Sequence, residues 1–415
     1  MRTKLPERGR SHTAIIDEMR AMKHGDADWQ HGRVPLFYFK ADDAVYEIGK
    51  AGFFEYFSEN ALGATRAYPS VKRMETEVID MALDLFGAPA DAQGFMTTGG
   101  TESIVTAIQA CRDWSRKQRG SAQHRGNIVA SETAHPAFNK GAKLMDLEVR
   151  RAPVGPDLRM DLAAIEALID DDTIMLVGSA PNFSYGMIDP IAALGAIAER
   201  RAVWLHVDAC VGGYLAPFVR MIGRAIPDFD FRVPGVSSLS ADLHKFGFCP
   251  KPSSTVLYRT ADKARFQFFD ETVWPNGRFL TPTIVGTRPA GGIAGAWATL
   301  QFLGVEGYQR IARELMAFVD AYRAGIGAIP GLKILGAPDL SIVAYGSDEF
   351  DVFRVAEIMA EKGWLPGLVQ RPKGIHRMMS LVHAPVLQEY LDDVRAAVGV
   401  VRQSGPATSG IRATY

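Results

Sequence analysis

Cysteine is scarce in this chain. Cys111, Cys210 and Cys249 are the only ones in 415 residues, too few and too scattered for a disulfide framework, and no CxxC or Cys/His cluster has the spacing of a metal site. No apolar run approaches the ~18–20 residues that a membrane span needs. The segment Met1–Met22 is dense in charge and has no long apolar core, so no secretory signal is visible. An excess of one charge is also missing: 46 Lys and Arg stand against 47 Asp and Glu, a formal net charge of -1, which argues against nucleic acid or an anionic membrane as partner. Internal repeats and low-complexity tracts are absent. Together these absences predict a chain of the reducing cytoplasm, with no metal and no membrane span.

What is present is a composition able to bury a large core, 47% hydrophobic and 22% charged, at a length that favours one large domain and one smaller one. Residues 1–60 read as an irregular arm with clustered aromatics. Val71–Phe86 carries apolar residues at helical spacing and ends at Gly87 and Pro89. A second helix is expected from Ile104 to about Arg116. Strands are expected at Asn127–Ser131, Leu147–Val154, Thr173–Ala180, Val203–Asp208, Val236–Ser240 and Ser254–Arg259, with helices at Pro136–Met145, Asp161–Asp170 and Pro190–Arg201 between them. Strands separated by crossover helices predict an α/β fold with a mostly parallel central sheet and ligands at the carboxyl ends of its strands. From Gly291 the texture changes to long helices, Ile293–Leu303 and Tyr308–Ile326, followed by shorter alternating elements. The expected division is therefore an arm (1–60), a large α/β domain (61–288), a small C-terminal α+β domain (289–403) and a frayed tail (404–415).

The chemistry centres on Ser238-Leu239-Ser240-Ala241-Asp242-Leu243-His244-Lys245. A lysine at the end of a buried element loses hydration, which lowers its pKa and makes the amine a nucleophile able to form a Schiff base with an aldehyde such as pyridoxal 5'-phosphate. Its partners can be read in the same way. Asp208 closes the strand Val203–Asp208, and a buried carboxylate there needs a cation, either a pyridinium N–H or an arginine or helix terminus. His135 is positioned to stack on a ring or to be a satisfied polar residue; His206 is taken as the latter. Gly94–Ser103 leads glycines into a helix start, either a phosphate cradle or an ordinary N-cap turn.

Several of these stretches resemble the sphingosine-1-phosphate lyase family, within the group II pyridoxal-dependent decarboxylases. They are His206–Gly213, Ser238–Gly247, Thr98–Ser103, Ala134–Lys140, Phe229–Val233, Pro282–Pro289 and Lys362–Trp364. The resemblance covers roughly Met74 to Ala397 and implies a pyridoxal-dependent transferase-like fold (fold type I) that works as a homodimer. It implies Lys245 as the Schiff-base lysine, Asp208 as partner of the pyridine nitrogen, His135 as the stacking histidine, and Gly100, Thr101 and His244 as ligands of the cofactor phosphate. Thr287 matches a hydroxyl supplied by the second subunit, Lys251 a lysine associated with substrate phosphate, and Tyr185 and Tyr38 active-site tyrosines. Where the family carries Asn-Pro-Leu-His, this chain reads Asn60-Ala61-Leu62-Gly63. The histidine is missing, and Arg66 stands nearby as its replacement or as the sign of another substrate.

The expected function is cleavage of a carbon–carbon bond in a hydroxy-amine, such as a phosphorylated sphingoid base, to an aldehyde and a phosphoethanolamine-type product. Tyr185, Lys245 and His135 are the candidates for proton transfer. The same residues allow an amino-acid decarboxylase, and a third reading is a non-catalytic binding protein on the same fold.

Overall fold

A computed structural model describes residues 2–404 and 408–413. In chain order the first part comprises α1 (His12–Met22), α2 (Asp43–Glu55), α3 (Pro69–Leu85), β1 (Gln93–Thr97), α4 (Gly100–Arg119), β2 (Asn127–Ser131), α5 (Ala137–Leu144), β3 (Glu148–Ala152), α6 (Leu162–Ala167), β4 (Thr173–Ser179), α7 (Ile191–Arg201), β5 (Trp204–Asp208), α8 (Ala216–Met221), β6 (Val236–Ala241) and β7 (Ser254–Tyr258). Its strands form one seven-stranded sheet in the order β1-β7-β6-β5-β4-β2-β3. All neighbours pair in parallel except β7, which is antiparallel to both β1 and β6. Every residue of β2, β4, β5, β6 and β7 is buried, as expected for strands covered by helices on both faces.

The second part contains α9 (Ala261–Ala264), the hairpin β8 (Phe269–Glu271) and β9 (Phe279–Thr281), α10 (Ala290–Gly327), β10 (Lys333–Ile334), β11 (Ile342–Gly346), α11 (Val352–Glu361), β12 (Gly367–Gln370), β13 (Lys373–Met378) and α12 (Leu387–Gln403). A second, antiparallel sheet runs β10-β11-β13-β12. The two long helices expected from the sequence are the two halves of α10, which breaks at Gly304 (φ 52, ψ -174). That backbone conformation lies in the left-handed region, open to glycine at no steric cost.

Three expectations need correction. The first sixty residues are not irregular: α1 and α2 lie there. Helix α1 carries Ile15, Ile16, Met19 and Met22 at helical spacing, but it buries no side chain. Helix α2 is capped by Asp42, which accepts the Val45 amide at 2.9 Å, and packs closely on α10 through Gly52, where a Cβ would stand 3.0 Å from that of Ala298. Second, the stretch Gly94–Ser103, expected to be only the approach to a helix start, begins with most of β1, which pairs with β7 from Gln93↔Tyr258 to Thr97↔Ser254, a partnership too distant in sequence to read locally. Third, residues 408–413 of the expected frayed tail are held in place: Ser409 donates from its amide to Asp351 at 3.1 Å, and the Ala413 amide donates to Gln370 at 3.2 Å. Residues 405–407, 414 and 415 of that tail, and Met1 of the arm, lie outside the described residues. Among the described residues no helix is long and apolar enough to cross a membrane.

The core also carries a pH dependence. Burial holds His206, His376 and His383 down to about 4, so each takes up a proton on unfolding below about pH 6.5. Asp189 opposes them: burial lifts its carboxyl to about 7, so the folded state keeps a proton that the unfolded chain has lost above about pH 4. With three groups against one, the unfolded chain binds more protons between about pH 4 and 6.5, and stability falls as pH drops through that window, by up to roughly 3 kcal/mol per pH unit from these four groups. Urea unfolding at pH 7, 6 and 5 should show progressively earlier midpoints; a midpoint that holds or rises on acidification would contradict this.

Candidate active site

Strands β4, β5 and β6 run side by side and end together, with Ser179 beside Asp208 and Asp208 beside Ser240. The chain leaving these ends lines a cavity of about 420 Å³ whose walls include Ser179, Pro181 and Phe183 beyond β4, Asp208 and Cys210 at β5, Asp242, His244, Lys245 and Lys251 beyond β6, His135 beyond β2, and Thr98–Glu102 at the junction of β1 and α4.

The start of α4 is open. No side chain caps it, and Gly99 precedes its first residue, Gly100. A Cβ at Gly100 would stand 2.7 Å from Cys210 Sγ and 2.9 Å from Asp242 Oδ2, so only glycine lets the helix end approach this closely. The backbone N–H groups of a 20-residue helix therefore point into the cavity with the positive end of the dipole, an arrangement suited to an anion. The one acidic residue of this turn, Glu102, is engaged elsewhere. One of its carboxylate oxygens accepts the Thr98 amide and hydroxyl at 2.7 and 2.6 Å, and the other accepts the Ile284 amide at 2.9 Å.

Charge is concentrated beside this helix start. Asp242 is 2% exposed, and its Oδ2 lies 3.1 Å from Lys245 Nζ and 3.6 Å from His244 Nε2. Burial pulls the Lys245 amine down, but Asp242, then Cys210 and Asp208, outweigh it and hold the amine above the usual lysine value. This corrects the expectation that burial lowers it: two carboxylates face the same amine. Burial likewise pushes the Asp242 carboxyl up, and Lys245 and His244 more than reverse it. Asp208 is 8% exposed and accepts the Cys210 amide at 3.1 Å.

His135 Nδ1 accepts the Ala137 amide at 3.2 Å, which puts the proton of the neutral ring on Nε2. Burial lowers its pKa against the opposing pull of Asp208, favouring a neutral ring. His244 Nδ1 is bonded to the Ser253 carbonyl at 2.6 Å. His206 is a satisfied core residue, bonded to Ser238 and Ser240 at 2.8 and 3.2 Å. Lys251 Nζ donates to the Phe37 carbonyl at 3.1 Å, and burial and then Lys245 lower its pKa.

The remaining predicted residues lie elsewhere. Tyr185 faces a neighbouring cavity of about 270 Å³ that shares Phe183 with the first, and its hydroxyl donates to the Arg371 carbonyl. Tyr38 follows Phe37 but packs edge-on against Trp29 at 4.4 Å, with burial lifting its phenol to about 12. Thr287 accepts a hydrogen bond from Asn60 at 3.2 Å, and Arg66 is exposed on the loop that follows Asn60; neither lines the Lys245 cavity. Sequence reasoning missed Asp242, Cys210, Glu102 and Phe183. The available signal was the Asp242–Lys245 spacing, which puts acid and base on one turn.

Residues 4–346 match the pyridoxal-dependent decarboxylase conserved domain. The chain belongs to that family. Within it, the chain is 38% identical to a sphingosine-1-phosphate lyase of Oryza sativa, over all of this chain and 77% of the relative, and 39% identical to that of Arabidopsis thaliana, over 97% and 75%. The solved sphingosine-1-phosphate lyase of Burkholderia pseudomallei superposes with a TM-score of 0.93 at 36% identity, covering 97% of this chain and 94% of the other. A glutamate decarboxylase of Lactobacillus brevis, at 20% identity and TM-score 0.85, shares the fold.

This family member is thus a lyase of fold type I that depends on pyridoxal phosphate. The cavity fits that cofactor. It offers an amine at Lys245, a carboxylate at Asp208, a neutral imidazole at His135 and an uncapped helix start at Gly100 and Thr101, all on one space of about 420 Å³.

Proposed function

We propose that the enzyme cleaves the bond between the hydroxyl-bearing and amine-bearing carbons of a phosphorylated sphingoid base or a similar hydroxy-amine, releasing an aldehyde and a phosphoethanolamine-type product. The observation that carries this reading is Lys251, a second cation on the wall that holds Lys245, free of any carboxylate among its hydrogen bonds and tied to a carbonyl. It suits a substrate phosphate, whereas the helix start suits the phosphate of the cofactor. The lyases of rice and Arabidopsis are named for such a substrate.

Bound pyridoxal phosphate supplies an electron sink in conjugation with the substrate amine. The protein's part is positional and electrostatic. Lys245 Nζ would hold the cofactor aldehyde. Asp208 would pair with the protonated ring nitrogen, the backbone N–H groups of Gly100 and Thr101 with His244 would take the cofactor phosphate, and His135 would cover the ring face. Of the candidates on the cavity wall for taking the substrate hydroxyl proton, Lys245 would serve only as the neutral amine and His135 only on releasing the Ala137 amide from Nδ1; the Tyr185 hydroxyl is committed to Arg371.

A homodimer belongs to this proposal. The β8–β9 hairpin and the loop after it expose Phe269, Val273, Trp274, Leu280 and Ile284, at 54, 86, 48, 46 and 57%, an apolar patch of the kind that marks an interface. Thr287 is exposed three residues beyond Ile284, so a second copy covering the patch would lie close to it. Three buried free thiols support placement in the cytoplasm.

The test is an absorbance scan with pyridoxal phosphate, followed by addition of a phosphorylated sphingoid base and assay for fatty aldehyde. A visible band and aldehyde release are expected, and Lys245→Ala should lose both. Carbon dioxide released from amino acids, without aldehyde, would replace this reading by a decarboxylase. Sedimentation should give twice the 45.3 kDa chain mass; a monomer at micromolar concentration would overturn the dimer.

A further inference from the structure

Asp242 has no place in the chemistry above, yet its burial needs a reason. It is the first residue past β6, and its side chain is 2% exposed. Burying a carboxylate costs several kcal/mol unless it is paired and hydrogen-bonded. The pairing here is local: Oδ2 faces Lys245 at 3.1 Å and His244 at 3.6 Å, and the Ser254 hydroxyl also favours the charged form. Its place is also guarded by shape, because any side chain at Gly100 would collide with the carboxylate.

We propose that Asp242 is a positioning residue that docks the Lys245 amine as an ammonium whenever the lysine is not bonded to the cofactor. The turn Asp242-Leu243-His244-Lys245 makes this a local device, closed by the Lys245 amide bonding back to the Asp242 carbonyl at 3.3 Å. Asp208 cannot do this work while it serves the ring nitrogen.

The consequence is kinetic. An ammonium cannot attack a carbonyl, so capture of the cofactor aldehyde waits for Lys245 Nζ to lose its proton. The groups that bear on that proton are Asp242, Cys210 and Asp208, which favour it, and His244, His135 and Lys251 on the same cavity wall. Asp242 is nearest by hydrogen bond and sets the pH above which capture runs. The inference rests on Lys245 being the cofactor lysine.

The experiment follows the visible band as the full-length protein, stripped of cofactor, takes up pyridoxal phosphate between pH 6 and 10. Asp242→Asn keeps the side-chain size and removes the charge. The expected result is capture faster by about tenfold or more throughout this range, pH 7 included, the change that one pH unit makes. An unchanged profile in Asp242→Asn would overturn the docking role while leaving Lys245 as the cofactor lysine. No band in the native protein at any pH would remove both. Should Asp242→Asn fail to fold, amine labelling of the stripped native protein with peptide mapping decides. Lys245 should resist labelling at pH 8 relative to surface lysines, and ready labelling there would overturn the inference.

Discussion

Two carboxylates and one ammonium share the carboxyl edge of a parallel sheet, and much of the site follows from how they are kept out of water together. Asp208 closes β5 and Asp242 follows β6, on neighbouring strands, with Lys245 3.1 Å from the second of them. Each charge alone would be costly to bury. As a cluster, each offsets the desolvation of the others, and the low local dielectric strengthens their attraction. This also explains why Lys245 is held protonated despite its burial: proximity of opposite charge outweighs desolvation here.

The sheet order makes the cluster possible. Parallel strands end at one edge, so residues far apart in the chain converge there without any loop having to be long. The glycines at the start of α4 then bring an uncapped helix end against Cys210 and Asp242, so the cavity has an anion-binding helix end next to an ion-paired cluster. A phosphate-bearing ring with a basic nitrogen suits both. Lys251, held by the carbonyl of Phe37, extends the cationic part of the cavity toward the N-terminal arm. Phe37 adopts a φ of 68°, uncommon for a bulky residue, and its carbonyl is the one that meets the lysine.

The strands β2, β4, β5 and β7 were legible because they are buried on both faces and their apolar runs are bounded by turns. Lys245, Asp208, His135 and the Gly100 turn were legible because their residue types are expensive or unusual where they stand. Local patterns did not reveal β1, whose partner lies some 160 residues away in the register Thr97↔Ser254. Tyr185 illustrates another limit. Its position after β4 was correct, but a few residues of turn, together with the Arg371 carbonyl, aim the hydroxyl into the next cavity. Thr287 and Arg66 are exposed and away from the Lys245 cavity, which no local pattern reports. The direction of the Lys245 shift was misjudged because desolvation was weighed without Asp242, three residues away in the same phrase.

The central claim is that Lys245 is the residue that bonds to pyridoxal phosphate. Borohydride reduction of the cofactor-loaded protein, followed by peptide mapping, tests it most directly. The account predicts one pyridoxyl group per chain, on the Lys245 peptide. Labelling of Lys251 or any other lysine in its place, or no stable label, would contradict it.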